Sequence, residues 1–242
     1  MYDKPTFLSA GDQALLVEMG DTINDETNTR IHNLTLKLEK LNLPGVISIL
    51  PTYTSLLISY DPMIQSISNL QSKIEKFQDG LTDHHINNHR ILNIPTLYGN
   101  EYGPDLEFVA SHAGISVDEV VNIHSGTKYR VHMMGFTPGF PYLGGLSEQL
   151  NTPRLDTPRI EIPAGSVGIA DNQTGFYPIS SPGGWRLIGR TPLEMFDPEI
   201  EPPSILAVGD YVQFTPIDTE KEYLEIKKSV ESGNYEFELE NK

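Results

Sequence analysis

The sequence predicts an α+β chain in two parts, and three observations carry that prediction. Up to about residue 97, short β-rich runs interleave with longer runs whose apolar residues recur at steps of three and four, so strands and helices alternate. From Arg90 onward, many short β-like pieces are punctuated by Gly and Pro, the texture of an all-β barrel or sandwich. The chain has 242 residues, 38% of them hydrophobic, which is enough for one large core or two modest ones. We place the division between residues 86 and 87.

The first part reads in order as follows. Ala14 to Met19 is a strand, and Ile23 to Leu41 sets Ile31, Leu34, Leu38 and Leu41 on one helical stripe, with Thr22 and Asp25 as a start signal. Val46 to Leu50 and Tyr53 to Tyr60 are strands split by Pro51. Met63 to Gln78 is a second helix through Ile64, Ile67, Leu70, Ile74 and Phe77, and Ile91 to Leu97 is a closing strand. The order βαββαβ is the ferredoxin-like, split-βαβ pattern, which by itself says little about function. Thr82 to Arg90 is a polar connector.

In the second part, a helix pair at Pro104 to Ala113 and Ser116 to His124 precedes strands at Tyr129 to Met134, Glu161 to Ala170, Phe176 to Ile179, Trp185 to Ile188 and Asp210 to Thr215. In the tail, Tyr235, Phe237 and Leu239 alternate with glutamates, the period of a strand.

Charge and composition exclude several classes. Asp and Glu number 33 against 17 Lys and Arg, a formal net charge of -16, and a field of that sign repels nucleic-acid backbones and anionic membranes. There is no cysteine, so disulfides, thiolate nucleophiles and iron–sulfur ligation are excluded. The first twenty residues lack the apolar stretch of a signal peptide, and Pro and Gly interrupt the uncharged residues 41–60, so we expect a soluble, cytoplasmic protein. The helix pair has helix-turn-helix spacing with Gly114 in the turn, but Asp105 to His124 carries no Lys or Arg for phosphates, which argues against DNA binding.

Chemistry concentrates between Tyr129 and Arg190. Arg130, Arg154, Arg159, Arg186 and Arg190 are five of the seven arginines, and the segment holds no lysine. Arginine without lysine points to planar recognition of a carboxylate or phosphate; structural pairing with Asp156, Glu161 and Asp171 is the competing reading. The run Gly135 to Gly145 holds Pro138, Pro141 and four glycines, so we expect a loop whose Phe136, Phe140 and Tyr142 either plug the barrel or face a ligand or partner. Ser180 to Arg186 sets Trp185, the single tryptophan, beside two glycines, placed to stack on a planar ring.

Familiar motifs fail. No GxxxxGK[ST] cradle occurs, Ala164 to Gly168 is not a GxSxG elbow, and Ser125 to Lys128 fits SxxK without its companions. His84, His85 and His89 fall in the polar connector without metal-ligand spacing, so no metal is expected.

Taken in order, Phe136 to Leu146, Pro153-Arg154, Pro158-Arg159, Ile162 to Ala170, Gly175 to Pro178, Ser181 to Pro192 and Phe196-Asp197 resemble the Kip inhibitor family, also known as the family of 5-oxoprolinase B subunits or allophanate hydrolase subunit 1. Gly11-Asp12, Pro51 to Leu57, Asp61-Pro62, Tyr98-Gly99, Gly103 to Leu106, His124 and Tyr129 extend the match over nearly the whole chain.

The resemblance implies a small α/β domain followed by a cyclophilin-like β-barrel. It also implies ATP-dependent opening of 5-oxo-L-proline to L-glutamate by a 5-oxoprolinase in which this chain works with an A subunit and with a C subunit like the Kip antagonist. Inhibition of a sensor histidine kinase and a urea carboxylase-type carboxyltransferase role are the alternatives. A lactam carbonyl is a poor electrophile, so ATP-coupled opening calls for cations around phosphate and oxyanion. The candidates are Arg154 and Arg159 as catalytic groups, with Arg186, Arg190 and Trp185 binding substrate and Ser166, Gln173 and Tyr177 bonding the amide. His124, alone among the histidines in the family pattern, is the acid/base candidate. Phe136, Phe140 and Tyr142 would face the C subunit. ATP would be bound jointly with, or by, one of the partners, and the chain alone would be inactive.

Overall fold

The computed structural model describes residues 2–77 and 90–241, so the connector with His84, His85 and His89 lies outside the described residues. The chain divides into two compact units, Met1–Asn87 and Asn88–Lys242.

The first unit is a four-stranded antiparallel sheet with two helices. Its strands are β1 (Thr6–Ser9), β2 (Ala14–Glu18), β3 (Val46–Pro51) and β4 (Ser55–Tyr60), in the order β1-β2-β4-β3; its helices are α1 (Asp25–Leu41) and α2 (Ile67–Glu75). Strand alternation places Leu15 and Val17 of β2 and Leu56 and Ile58 of β4 in a core with Ile31, Leu34 and Leu38 of α1 and Leu70 and Ile74 of α2. On the same rungs, Leu8, Leu16, Leu57 and Leu50 line up across all four strands, and Leu8 and Leu50 remain exposed.

The expected βαββαβ order is corrected to ββαββα. Thr6–Ser9 takes the edge beside β2, and Ile91–Leu97 belongs to the other unit's sheet. Helix α1 starts two residues later than a Thr22 cap would set it, because the Thr22 hydroxyl is turned to Asp21 while the Asn24 side chain accepts the Thr27 N–H at 2.8 Å. Helix α2 likewise starts at a Ser66 cap, since the Asp61 carbonyl accepts from Ile64 and Gln65 and its carboxylate from Met63, holding the preceding residues in a turn.

The second unit is built on a barrel. Its strands are β5 (Arg90–Tyr98), β6 (Lys128–Met134), β7 (Pro141–Gly144), β8 (Arg159–Ile162), β9 (Ser166–Ala170), β10 (Gln173–Phe176), β11 (Ser181–Gly183), β12 (Arg186–Arg190), β13 (Tyr211–Ile217) and β14 (Leu239–Asn241). Seven of them run β12-β9-β10-β7-β6-β13-β5, and pairing of β5 with β12 closes the ring. Strand β5 is parallel to β13 over seven rungs, and Arg90 at its start grips both carboxylate oxygens of Asp210 just before β13. Strand β14 adds to β5, and β8 pairs with β11 in a separate two-stranded ribbon. Helices α3 (Leu106–Ala113) and α4 (Val117–Ser125) join the barrel core through Leu106, Val109, Ala110 and Val120, and α5 (Glu220–Glu231) packs Tyr223 against Tyr102 at 4.7 Å. Among the described residues no helix is long and apolar enough to cross a membrane.

Four sequence expectations shift here. The loop expected at Gly135–Gly145 ends at Phe140, because Pro141 opens β7, a position where a strand tolerates its missing donor. Glu161–Ala170 breaks at Pro163 to Gly165 into β8 and β9, and the strand expected at Phe176–Ile179 is Gln173–Phe176. The tail strand is only Leu239–Asn241, and the helix α5 that precedes it is new to the sequence reading.

Leu34 is fully buried in the α1 interface while Leu36, two residues on, is 43% exposed. Leu34→Ala should therefore cost about 3 kcal/mol and Leu36→Ala within about 0.5 kcal/mol in denaturant unfolding of the whole chain. Equal costs would mean that the helix faces the sheet differently.

Candidate functional site

The residues singled out in the sequence fall into three places in the barrel unit. The largest group surrounds an aromatic cluster on the outside of the ring, made of Phe140, Ile162, Ala170, Tyr177, Trp185 and Leu187, with Tyr142 packed against it. Phe140 is its centre: its ring lies 5.2 Å from Tyr142, 5.4 Å from Tyr177 and 5.4 Å from Trp185, edge-on to the last two. The indole fits because β9 and β10 carry Gly168 and Gly175 beneath it. A Cβ at Gly175 would come within 2.9 Å of the Pro141 carbonyl and 3.3 Å of the indole.

Three arginines rim this cluster. Arg154 is half exposed and pairs with Asp171, Nε to Oδ2 at 3.1 Å. The Arg186 guanidinium lies over the Phe108 ring at 3.8 Å, with its Nε–H donated to the Pro153 carbonyl. Arg159 is held more firmly: one nitrogen reaches both Asp105 oxygens at 2.9 and 3.0 Å and another donates to the Trp185 carbonyl. Asp105 also accepts the Leu187 N–H at 2.7 Å. The competing reading of the arginines, structural pairing, thus describes Arg154, whose acid is the expected Asp171, and Arg159, whose acid is instead Asp105 at the helix pair.

Tyr177 stays a neutral donor, because burial pushes its pKa up to about 12 against the opposing pull of the Trp185 backbone and of Arg154 and Arg159. Gln173 opens β10, two residues beyond Asp171 at the β9–β10 turn.

Of the three aromatics expected to face a partner, Phe140 is 2% exposed and belongs to the core of the cluster. Tyr142 is half buried and Phe136 is 63% exposed. Phe136 also has φ 66, a region bulky residues rarely enter, and it meets Phe140 edge-on at 5.6 Å. Only Phe136 of the three offers a wholly open aromatic face.

Arg190 and Ser166 stand elsewhere. They are ladder partners on β12 and β9, and Arg190 faces the Tyr102 ring at 5.4 Å. Ser166 is fully buried.

His124 is inside the barrel. It is fully buried near the end of α4, against Tyr129 and Phe214, and both ring nitrogens are used. Nε2 lies 2.8 Å from the Thr174 hydroxyl and Nδ1 lies 2.8 Å from the Tyr98 hydroxyl. The Thr174 proton is committed to the Gly168 carbonyl, so Nε2–H donates to Thr174 and Nδ1 accepts from Tyr98. Burial pushes the His124 pKa down to about 3, so the ring is neutral at ordinary pH. A side chain sealed in this way orients the barrel interior and presents no atom to a ligand outside it. Sequence reasoning missed Asp105, Tyr98 and Thr174, the partners that fix these placements; Tyr98 and Asp105 lie in runs that carry the family resemblance, whereas Thr174 carries no signal.

Known proteins resemble this chain in sequence and fold. The family model for the carboxyltransferase domain, subdomain C and D, matches residues 5–206. The 5-oxoprolinase B subunit of Bacillus subtilis is 44% identical over 223 residues, covering 88% of this chain and 92% of that protein. That of Escherichia coli O157:H7 is 41% identical over 210 residues, covering 85% and 93%. The urea amidolyase structure of K. lactis superposes with a TM-score of 0.80 at 22% identity, over 98% of this chain and 16% of that one, a likeness of fold.

Two outcomes follow from the geometry. Phe140→Ala should cost about 3 kcal/mol or more of stability, whereas Phe136→Ala should leave the melting curve within about 0.5 kcal/mol of the parent. For His124 the depressed folded pKa means that the unfolded chain takes up a proton below pH 6.5 while the folded chain does not until about pH 3. Its contribution is therefore present above pH 6.5 and lost as pH falls toward 3, at up to about 1.4 kcal/mol per pH unit. His124→Gln should show a correspondingly shallower fall in stability between pH 6 and pH 4; parallel curves would mean that the ring titrates normally.

Proposed function

Since the chain belongs to the family of 5-oxoprolinase B subunits, or allophanate hydrolase subunit 1, we propose that it is the B subunit of an ATP-dependent 5-oxoprolinase. In that reaction 5-oxo-L-proline and water, with ATP hydrolysed to ADP and phosphate, give L-glutamate. The observation that carries the reading is 44% identity to the B. subtilis protein over nearly the full length of both chains. The carboxyltransferase alternative has support in the family model's name, but the urea amidolyases are far more distant in sequence. No observation favours kinase inhibition.

The cleft beside the helix pair is unsuited to a triphosphate. It measures about 650 Å³ and is lined by Glu107, Asp118 and Asp218 and by no Lys or Arg. Among the candidate arginines, Arg159 is held by Asp105 and the Trp185 carbonyl, whereas Arg154 engages Asp171 through Nε alone. ATP therefore belongs to a site completed or supplied by the A or C subunit.

What this chain contributes is orientation. The substrate is an anion with a planar amide, and Arg154 and Arg186 at the rim of the aromatic cluster have the donors for its carboxylate. Trp185 shapes the floor behind them, Tyr177 stands by as a neutral hydroxyl, and Gln173 is placed near Asp171 for the amide. Arg159 and His124 act as positioning residues, and Arg190 with Ser166 lies on a separate rung. The barrel is of the cyclophilin-like kind, and the complex works in the cytoplasm, where ATP is available.

Co-expression with homologues of the A and C subunits should give 5-oxoproline-dependent ADP release, and the isolated chain should give none. Arg154→Ala should assemble normally and lower kcat/KM at least about tenfold, because its loss falls on ligand charge. Robust turnover by the isolated chain, or none by the reconstituted complex, would overturn the reading.

A further inference from the structure

The 650 Å³ cleft is the wrong sign for this reaction's ligands. It opens between the end of β5, the start of α3, the first turn of α4 and the end of β13. Its walls combine apolar side chains, Leu97, Leu106, Val117, Val121 and Ile217, with three exposed carboxylates, Glu107, Asp118 and Asp218. No ion pair among the described residues involves any of the three, and no cation lines the cleft. Three carboxylates without a cationic side chain around an apolar groove repel 5-oxoproline and ATP alike, and they add to the self-repulsion of a chain at -16.

The spacing also narrows what would neutralise them. Among the described residues no three His, Asp or Glu side chains gather as metal ligands, so a single ion cannot satisfy all three carboxylates. An extended cation can. Lys and Arg side chains bring an apolar stem for the groove and a charged head for its rim, matching both features at once.

We propose that this cleft receives a basic, Lys- or Arg-bearing segment of a partner protein in the complex. The inference rests on the reading of the chain as one component of a 5-oxoprolinase. It adds a docking site remote in chemistry from the arginine rim: one surface takes an anionic small molecule and the other a cationic piece of protein. Val117, 36% exposed on the α4 first turn, is the apolar contact such a segment would cover.

The experiment compares the parent chain with the triple variant Glu107→Gln, Asp118→Asn, Asp218→Asn, and with a control of equal charge loss, Glu225→Gln, Glu231→Gln, Glu236→Gln. Each is titrated with purified homologues of the C subunit and of the A subunit at low and at physiological salt, and thermal melting of each chain alone checks the fold. The proposal expects the cleft variant to melt like the parent but to bind one of the two partners about tenfold or more weaker at low salt, with a shallower salt dependence, while the control binds as the parent does. Binding of the cleft variant at parental affinity and parental salt slope, in a complex that still turns over, would overturn the docking site and leave the proposed function standing. Failure of the parent itself to bind either partner would instead strike the proposed function. Stabilisation of the parent but not the cleft variant by spermidine, with assembly unaffected, would replace the protein segment by a small polyamine and so overturn the proposal.

Discussion

A sheet closed into a ring leaves no free edge, and every strand must find a partner on both sides. In the second unit that requirement falls on β5. It pairs with β13 over seven parallel rungs on one side, meets β12 on the other, and accepts β14 along its first residues. Its burial pattern, apolar on both faces, answers to this position, and so does the clasp between Arg90 and Asp210 that sets the register with β13. Once the ring is closed its interior must be filled without unpaired polar groups. The line from Tyr98 through His124 to Thr174 and the Gly168 carbonyl meets that demand with each proton assigned.

Closure also sorts side chains between two faces. Ile162 of β8, Ala170 of β9, Tyr142 of β7 and Leu187 of β12, with Phe140, Tyr177 and Trp185 just outside β7, β10 and β12, build the aromatic cluster, and Arg159 is tied to its edge at the Trp185 carbonyl. Asp105 ties that edge to the helix pair: it holds Arg159 with its carboxylate and exchanges backbone and side-chain hydrogen bonds with Leu187. A carboxylate in an otherwise anionic helix pair thus stabilises a cationic region of the chain.

Much of this is legible in the sequence, and the misses have physical causes. The stripes of α1 and of the α3–α4 pair appear because a helix buried on one side must repeat every three or four residues. The arginine-rich segment is visible from composition alone. Pairing is not: Ile91–Leu97 reads equally well as the last strand of the first sheet or as a barrel strand, since a β pattern states its faces and never its neighbours. For the same reason Phe140 cannot be told from Phe136, and Arg159 finds Asp105 rather than a nearer acid. Helix α5 has a readable stripe in Tyr223, Ile226 and Val230, hidden by the charge that surrounds it.

The ring is not uniform in strength. Its closing seam between β5 and β12 has two paired rungs, Gly189 with Tyr98 and Arg190 with Leu97, against seven between β5 and β13. Gly189 is needed there because a Cβ would strike the Leu97 carbonyl at 2.9 Å, so the seam is short and the two backbones approach closely. Local opening takes the path that breaks fewest bonds. In this barrel two seams are thin, the two rungs at Tyr98 and the single rung of Leu143 with Thr174 between β7 and β10, and they carry the two hydroxyls that hold His124, so parting either one would release a ring nitrogen.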